Sequence, residues 1–288
     1  MRIVLGTLHI APASVKERGD DQLVVTLPRR FAPPLAAGTR GGPFSVYDLE
    51  RDVTGPSSDG KGGVVAEASL YHLLGQVQPD ARRGTPVGYY LFDGKRRLER
   101  GPLDTREELP RGGRVLAVPE GVTVVSCQAA TGCPGTRQGQ AGAPTFYYLF
   151  KHGPELDGGD VRLSDIRAGT GSAGEGNVVH LGFTSEGNKA FHDITHAEAL
   201  RGQATADAAG KGGSSDMNAI MRYAQHFAIV LDGGMQSTPY IDYKRNPDGI
   251  DLGGSGAEIS SIRSPAQAKY VALVLAAGAL PAHLVRVR

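Results

Sequence analysis

The sequence predicts an α+β fold arranged as two lobes. Strand, helix and strand segments are mixed along the first part of the chain, which suits an open, mostly antiparallel sheet with helices packed on it. At 288 residues the chain is long for one hydrophobic core, so two lobes, or one domain inserted in another, are expected. A Gly/Pro/Gln-rich tract from Gly132 to Pro144 interrupts the chain midway and reads as a linker.

The elements follow in order. Val4 to Ile10 and Gln22 to Leu27 read as short strands around the polar turn Gly19-Asp20-Asp21. Phe44 to Val53 alternates less cleanly and is a weaker strand. After a polar loop from Gly55 to Gly63, Ala66, Leu70, Leu73, Leu74 and Val77 recur at the spacing of one helical face. Val87 to Phe92 returns as a strand, and Arg114 to Val118 and Val122 to Cys127 are strand candidates in an otherwise irregular stretch. The aromatic run Thr145 to Lys151 opens the second lobe as a strand, and Thr184 or Ser185 caps a helix reaching about Leu200. A solvated loop is expected from Gly202 to Ser215, and a second from Asn246 to Ser255. Gln225 to Asp232 and Met235 to Asp242 pair as a hairpin across Asp232-Gly233-Gly234, where glycine supplies positive φ. Ser264 and Pro265 mark a helix start and Gly278 its end. Val271 to Ala277 is apolar on every side, so that helix should lie under a sheet or between lobes.

Composition narrows the function. Thirty-one basic residues against 30 acidic ones give a formal net charge of +1, so no basic field is available for nucleic acid. The longest nearly continuous apolar run, Tyr270 to Leu280, falls short of the roughly 20 residues a membrane helix needs. The N-terminal stretch, broken by His9 and Pro12, is too weak for a signal peptide. Cys127 and Cys133, in CQAATGC, are spaced to close a small disulfide ring in an oxidising compartment. A reduced pair in a cytosolic protein, or half of a metal site, are the competing readings.

Chemistry is sparse. His192-Asp193-Ile194-Thr195-His196 has the H-x-x-x-H spacing that sets two imidazoles on one helical face, and His180 and His226 are conceivable third ligands. Aspartate in place of the glutamate of H-E-x-x-H is one methylene shorter, so a general base at Asp193 would sit back from a metal-bound water. The apolar stripe Ala190, Phe191, Ile194, Ala197 lies nearly opposite the histidines, which makes them a solvated helix face and metal none. No nucleophile arrangement stands out, and the glycine runs Gly169 to Gly176 and Gly253 to Gly256 lack the lysine and helix of a phosphate loop. No cofactor and no catalytic residue are expected. Aromatic side chains gather in the second lobe, and those on the outward face of their strands suit contact with an extended polypeptide; Tyr147, Tyr148, Phe183 and Tyr240 are the candidates.

Five blocks, read together, resemble one family. Ala228 to Tyr240 (AIVLDGGMQSTPY), then a capped helix ending in Gly-Ala-Leu-Pro (Gly278 to Pro281), is similar to the first periplasmic domain of SecD, an accessory subunit of the Sec protein-export machinery. Asn177 to Thr195 (NVVHLGFTSEGNKAFHDIT), Phe44 to Val53 (FSVYDLERDV) and Gly19 to Pro28 (GDDQLVVTLP) extend the likeness towards the N-terminus. The resemblance implies a ferredoxin-like base lobe, residues 1–98 completed by 281–288, in which Leu284 to Arg288 returns to the first lobe's sheet. It implies an irregular connector over 99–144 and an inserted α+β head over 145–277. It also implies the extracytoplasmic face of a bacterial membrane, anchoring helices outside this stretch of chain, and a non-enzymatic role. The partners implied are an unfolded preprotein, a SecF-like subunit and the Sec channel, with lobe movement coupled to proton flow. A zinc-dependent hydrolase using His192 and His196, and a freestanding extracytoplasmic binding or scaffold protein, are the alternative readings.

Overall fold

Ser14–Arg18 (β1) and Gln22–Thr26 (β2) pair antiparallel, with Ser14 opposite Thr26. The structure, a computed structural model, describes residues 14–18, 22–26, 44–56, 69–106, 109, 112–128, 133–135, 145–171, 176–231, 233–253, 256–262 and 264–277. The strand expected at Val4 to Ile10, the Gly278 to Pro281 exit and the returning strand Leu284 to Arg288 lie outside these residues. The strand that pairs with β2 is the polar stretch SVKER, which carries no apolar alternation to announce it.

Helix α1 (Leu70–Arg83) starts at Ser69, whose hydroxyl accepts from the His72 amide at 3.3 Å. Its apolar face, Leu70, Leu73, Leu74, Val77 and Ala81, is buried. That face covers a three-stranded antiparallel sheet, β6 (Leu98–Leu103), β5 (Pro86–Phe92) and β7 (Arg114–Pro119) in spatial order. Tyr90, Phe92, Leu116 and Val118 complete this cluster with Val124 and Leu149 from the next sheet.

That next sheet supplies side chains to all three hydrophobic clusters. Its strands are β3 (Phe44–Asp48), β4 (Val53–Thr54), β8 (Thr123–Gln128), β9 (Thr145–Phe150), β10 (Leu156–Asp157), β13 (Gln225–Leu231), β14 (Gly234–Ser237) and β15 (Tyr240–Ile241). They run in the order β10-β3-β13-β14-β8-β9-β4, with β15 also on β13. Its strands come from all along the chain: β3 and β4 lie within residues 1–98, β8 within 99–144, and the rest within 145–277. Alternation sorts the side chains between the two faces. Tyr47, Val125, Cys127, Tyr148, Phe150, Val230 and Met235 form one cluster. The opposite parity splits: Phe44, Val46, Phe227 and Ile229 enter the largest core, while Val124 and Leu149 join α1.

The largest core is closed by β11 (Val161–Thr170), β12 (Asn177–Phe183) and β16 (Ala257–Ile262), a sheet ordered β11-β12-β16. Helix α4 (Pro265–Ala277) packs across β11 and β12, burying Ala268, Val271, Ala272 and Leu275, which agrees with its expected place against a sheet. Helix α2 (Ser185–Ala208) lies against β13 and β15, and the short α3 (Met217–Tyr223) packs on α2.

The fold is α+β, as the sequence predicts, with local differences. Helix α2 passes Leu200 and runs through Gly202 to Ala208, where a loop was expected. Gly202 is needed there, because a Cβ would stand 2.9 Å from Cδ1 of Tyr243 and 3.1 Å from the Tyr223 carbonyl oxygen. The second hairpin strand breaks into β14 and β15 around Pro239, which has no N–H to donate. The hairpin turn keeps Gly233 at φ 70°, and Asp232 lies outside the described residues.

Candidate functional site

The chemistry of the C-terminal half of the chain gathers along α2. Thr184 caps it, its hydroxyl accepting from the Gly187 amide at 3.0 Å. Phe191, Ile194, Thr195, Glu198, Ala199, Gly202 and Ala206 face inward at helical spacing. The sequence stripe placed Phe191 and Ile194 correctly, but two polar residues, Thr195 and Glu198, share the buried face. Thr195 is satisfied: its hydroxyl donates to the Phe191 carbonyl at 2.8 Å and accepts from the Ile250 amide at 2.9 Å.

Glu198 is not satisfied. It has 0% exposure, and neither carboxyl oxygen has a hydrogen-bond partner. Desolvation, reinforced by Asp48 and Glu50 and opposed by Arg201, pushes its carboxyl up to about 9. The group is thus a neutral acid at neutral pH. Around it the charges are already matched. Asp48, buried at the end of β3, accepts from Nη2 of Arg201 at 2.5 Å. Glu50 accepts from the His226 amide and faces Nδ1 of that ring, each at 2.8 Å. Arg51 pairs with Glu155, and Nε2 of His152 lies 3.1 Å from the Asp48 carbonyl.

The four aromatic candidates separate. Tyr148 is a core residue: its ring lies on the backbone of Gly55, and its hydroxyl donates to the Pro134 carbonyl at 2.6 Å. Burial raises its hydroxyl well above the usual tyrosine range. Phe183 is equally buried, stacked on Phe191 with centroids 5.7 Å apart. Tyr147, of opposite parity on β9, is half-buried against the α1 cluster. Tyr240 on β15 is 40% exposed. Packing thus leaves Tyr148 and Phe183 without surface to offer another chain in this structure. Sequence reasoning missed three exposed apolar side chains on two packed helices: Leu200 (55%) on α2, and Met217 and Met221 (both 51%) on α3. Helix α2 packs against both α3 and β15, so these three and Tyr240 border the same helix. The signal available was Asp216, whose carboxylate accepts from the Asn218 amide at 3.1 Å, followed by methionines at i and i+4 spacing.

His192 and His196 do lie side by side, ring centroids 5.9 Å apart. Gly249, at φ 82°, presses against their backbone: a Cβ there would be 2.8 Å from the His196 amide nitrogen. Asp193 is committed to Lys189, whose hydrogen bond is the main cause holding its carboxyl below the usual range. The suggested third ligands are engaged elsewhere, His180 with Glu258 and His226 with Glu50. Among the described residues, no group of three or more His, Cys, Asp or Glu side chains is arranged to hold a metal ion. Cys127 and Cys133 are joined as a disulfide, with Cα atoms 5.8 Å apart, buried within the cluster around Tyr148.

Comparison with known families gives this geometry a setting. The family model described as "SecDF, P1 head subdomain" matches residues 135–282. The chain belongs to the SecDF P1 head family. Two solved structures are similar to it. One, a crystal structure of SecDF in a super-membrane-facing form, is 19% identical over 97% of this chain, with a TM-score of 0.41. This chain spans 25% of that protein's length. The other, a structure of SecDF described as a membrane component that enhances protein export, is 18% identical. It covers 99% of this chain and 88% of its own, with a TM-score of 0.37. No curated protein matches the chain.

Proposed function

We propose that this chain is the extracytoplasmic domain of a SecD-like accessory subunit of the Sec translocase, holding an emerging preprotein during export driven by the proton-motive force. The family match over residues 135–282 carries the reading. Such work asks for weak, sequence-tolerant contacts and no catalytic residue. The exposed side chains along α2 support it: Leu200, Met217, Met221 and Tyr240 are apolar, and methionine adapts to varied partners. No helix among the described residues is long and apolar enough to cross a membrane; in the proposed reading, anchoring and the proton path belong to other parts of the protein. The partners in this reading are the preprotein, a SecF-like subunit and the Sec channel. A head, about 145–277, would move against a base, about 1–98 with 281–288.

The test is site-specific photocrosslinking in the full membrane protein with a preprotein stalled in transit. Benzoylphenylalanine at Met217, Met221 or Tyr240 is expected to capture the preprotein, and the same probe at exposed Arg82 on α1 is not. Equal labelling at all four positions, or none at the first three, would rule out this contact surface.

A further inference from the structure

Away from α2, the tip of the β5–β6 hairpin and the start of β7 border an open cleft of about 290 Å³, lined by Tyr71, Asp93, Gly94, Arg96, Gly113 and Arg114. Two guanidinium groups share one aromatic ring: Cζ of Arg96 lies 5.3 Å, and Cζ of Arg114 5.4 Å, from the Tyr71 centroid. The ring is itself fixed by an edge contact with buried Phe92, centroids 5.2 Å apart.

The backbone is shaped to hold this arrangement. Arg96 sits at φ 63°, a left-handed conformation that non-glycine residues seldom adopt and that recurs at functional positions. Asp93 organises the turn, accepting from the Lys95 and Arg97 amides at 2.8 Å each and from Nε of Arg97 at 2.7 Å. Those bonds, the Arg97 amide first, hold the Asp93 carboxyl below its usual range. Gly113, at φ 75°, passes so close to β5 that a Cβ would stand 2.5 Å from the Phe92 carbonyl oxygen.

Among the described residues the charges lining the cleft do not balance. The carboxylate lining the cleft, Asp93, is committed to Arg97, and among the described residues no carboxylate pairs with Arg96 or Arg114. Tyr71 is the second residue of α1, whose first turn carries no acidic side chain, so the positive end of that helix borders the cleft. Their placement over Tyr71 accounts for where the guanidiniums sit, and among the described residues no acceptor takes their N–H donors.

We propose that this cleft binds a phosphate group through Arg96 and Arg114. The two forks arrive from different segments, Arg96 from the β5–β6 turn and Arg114 from the first residue of β7. A carboxylate is filled by one guanidinium, whereas a phosphate has enough oxygens to accept from both. The ligand is either a free phosphate compound or the headgroup of an anionic phospholipid.

The test is an NMR titration of the ¹⁵N-labelled full chain with sodium phosphate, against sodium chloride at matched ionic strength. Saturable shifts are expected at the amides of Tyr71, Gly94, Arg96 and Gly113. The double variant Arg96→Ala/Arg114→Ala should bind phosphate at least tenfold more weakly, a loss of about 1.4 kcal/mol or more. The control Arg222→Ala, on exposed α3, should bind as the parent does, and far-UV circular dichroism checks that all variants fold. Sedimentation with vesicles separates the sources. Pelleting with phosphatidylglycerol but not phosphatidylcholine, lost in the double variant, assigns a lipid headgroup; phosphate binding without pelleting assigns a soluble phosphate. Equal shifts with chloride, unchanged affinity in the double variant, or tighter saturation of the same amides by acetate would overturn the proposal.

Discussion

Raising the pH should weaken this fold through one side chain, Glu198. Its carboxyl has an ordinary value of 4.5 and is pushed to about 9 in the folded protein, with desolvation the leading cause. Between those values the folded state keeps the proton and the unfolded chain has released it. Stability is therefore greatest below the unfolded value and falls as pH rises towards 9, by about 1.4 kcal/mol for each pH unit. From pH 5.5 to pH 7.5 the loss from this group is about 3 kcal/mol, a large share of an ordinary domain's stability. Glu198→Gln removes the titration while keeping the shape. Urea unfolding of parent and variant across this range gives the check, because every other titrating group cancels in the difference. The variant should gain on the parent by about 3 kcal/mol between the two pH values, whatever its offset at pH 5.5. Parallel stability profiles would mean that Glu198 ionises normally in the fold, and would refute the claim that it is buried and unpartnered.

Two further outcomes are expected. β3 belongs to the proposed base and β13 to the proposed head, yet they share a five-pair ladder in which Ser45 faces Val230; if the lobes move apart along that division, a disulfide in Ser45→Cys/Val230→Cys should stop export by the full membrane protein, and wild-type export with the bond formed would count against the division. Reducing the Cys127–Cys133 bond, or Cys127→Ser, should cost about 2 kcal/mol by the loop-entropy account, read as a lower urea midpoint; an unchanged midpoint would contradict it.

Much of the fold was legible where local chemistry and final structure agree. The face of α1 follows from Leu70, Leu73, Leu74 and Val77, and the β13–β14 hairpin from its glycines. The start of α4 follows from Ser264 and Pro265, with the Ala268 amide bonding back to the Ser264 carbonyl at 3.0 Å. Elements lacking such signals were missed. β11 shifts register between Arg162 and Arg167, which breaks the alternation a strand is read from. β16 (AEISSI) is half polar, and α3 is a single short helix beyond an expected loop.

The candidate site divides along the same line. Residue types and their order by themselves determined the α+β class, the caps, the separation of the two cysteines and the likeness to SecD, because each is written within a few consecutive positions. Only the tertiary structure decided which aromatic residues face inward, since alternation says that Tyr147 and Tyr148 point opposite ways but not which way is covered. The same holds for Glu198: a glutamate in a helix reads as a surface charge, and only the packing of α2 in the fold, against β13 among others, takes it out of water. Arg96 and Arg114 are far apart in the chain, and the β5–β7 pairing, with Phe92 opposite Arg114, is what brings both to Tyr71. Burial and charge convergence depend on contacts between distant segments, and a local pattern carries no record of them.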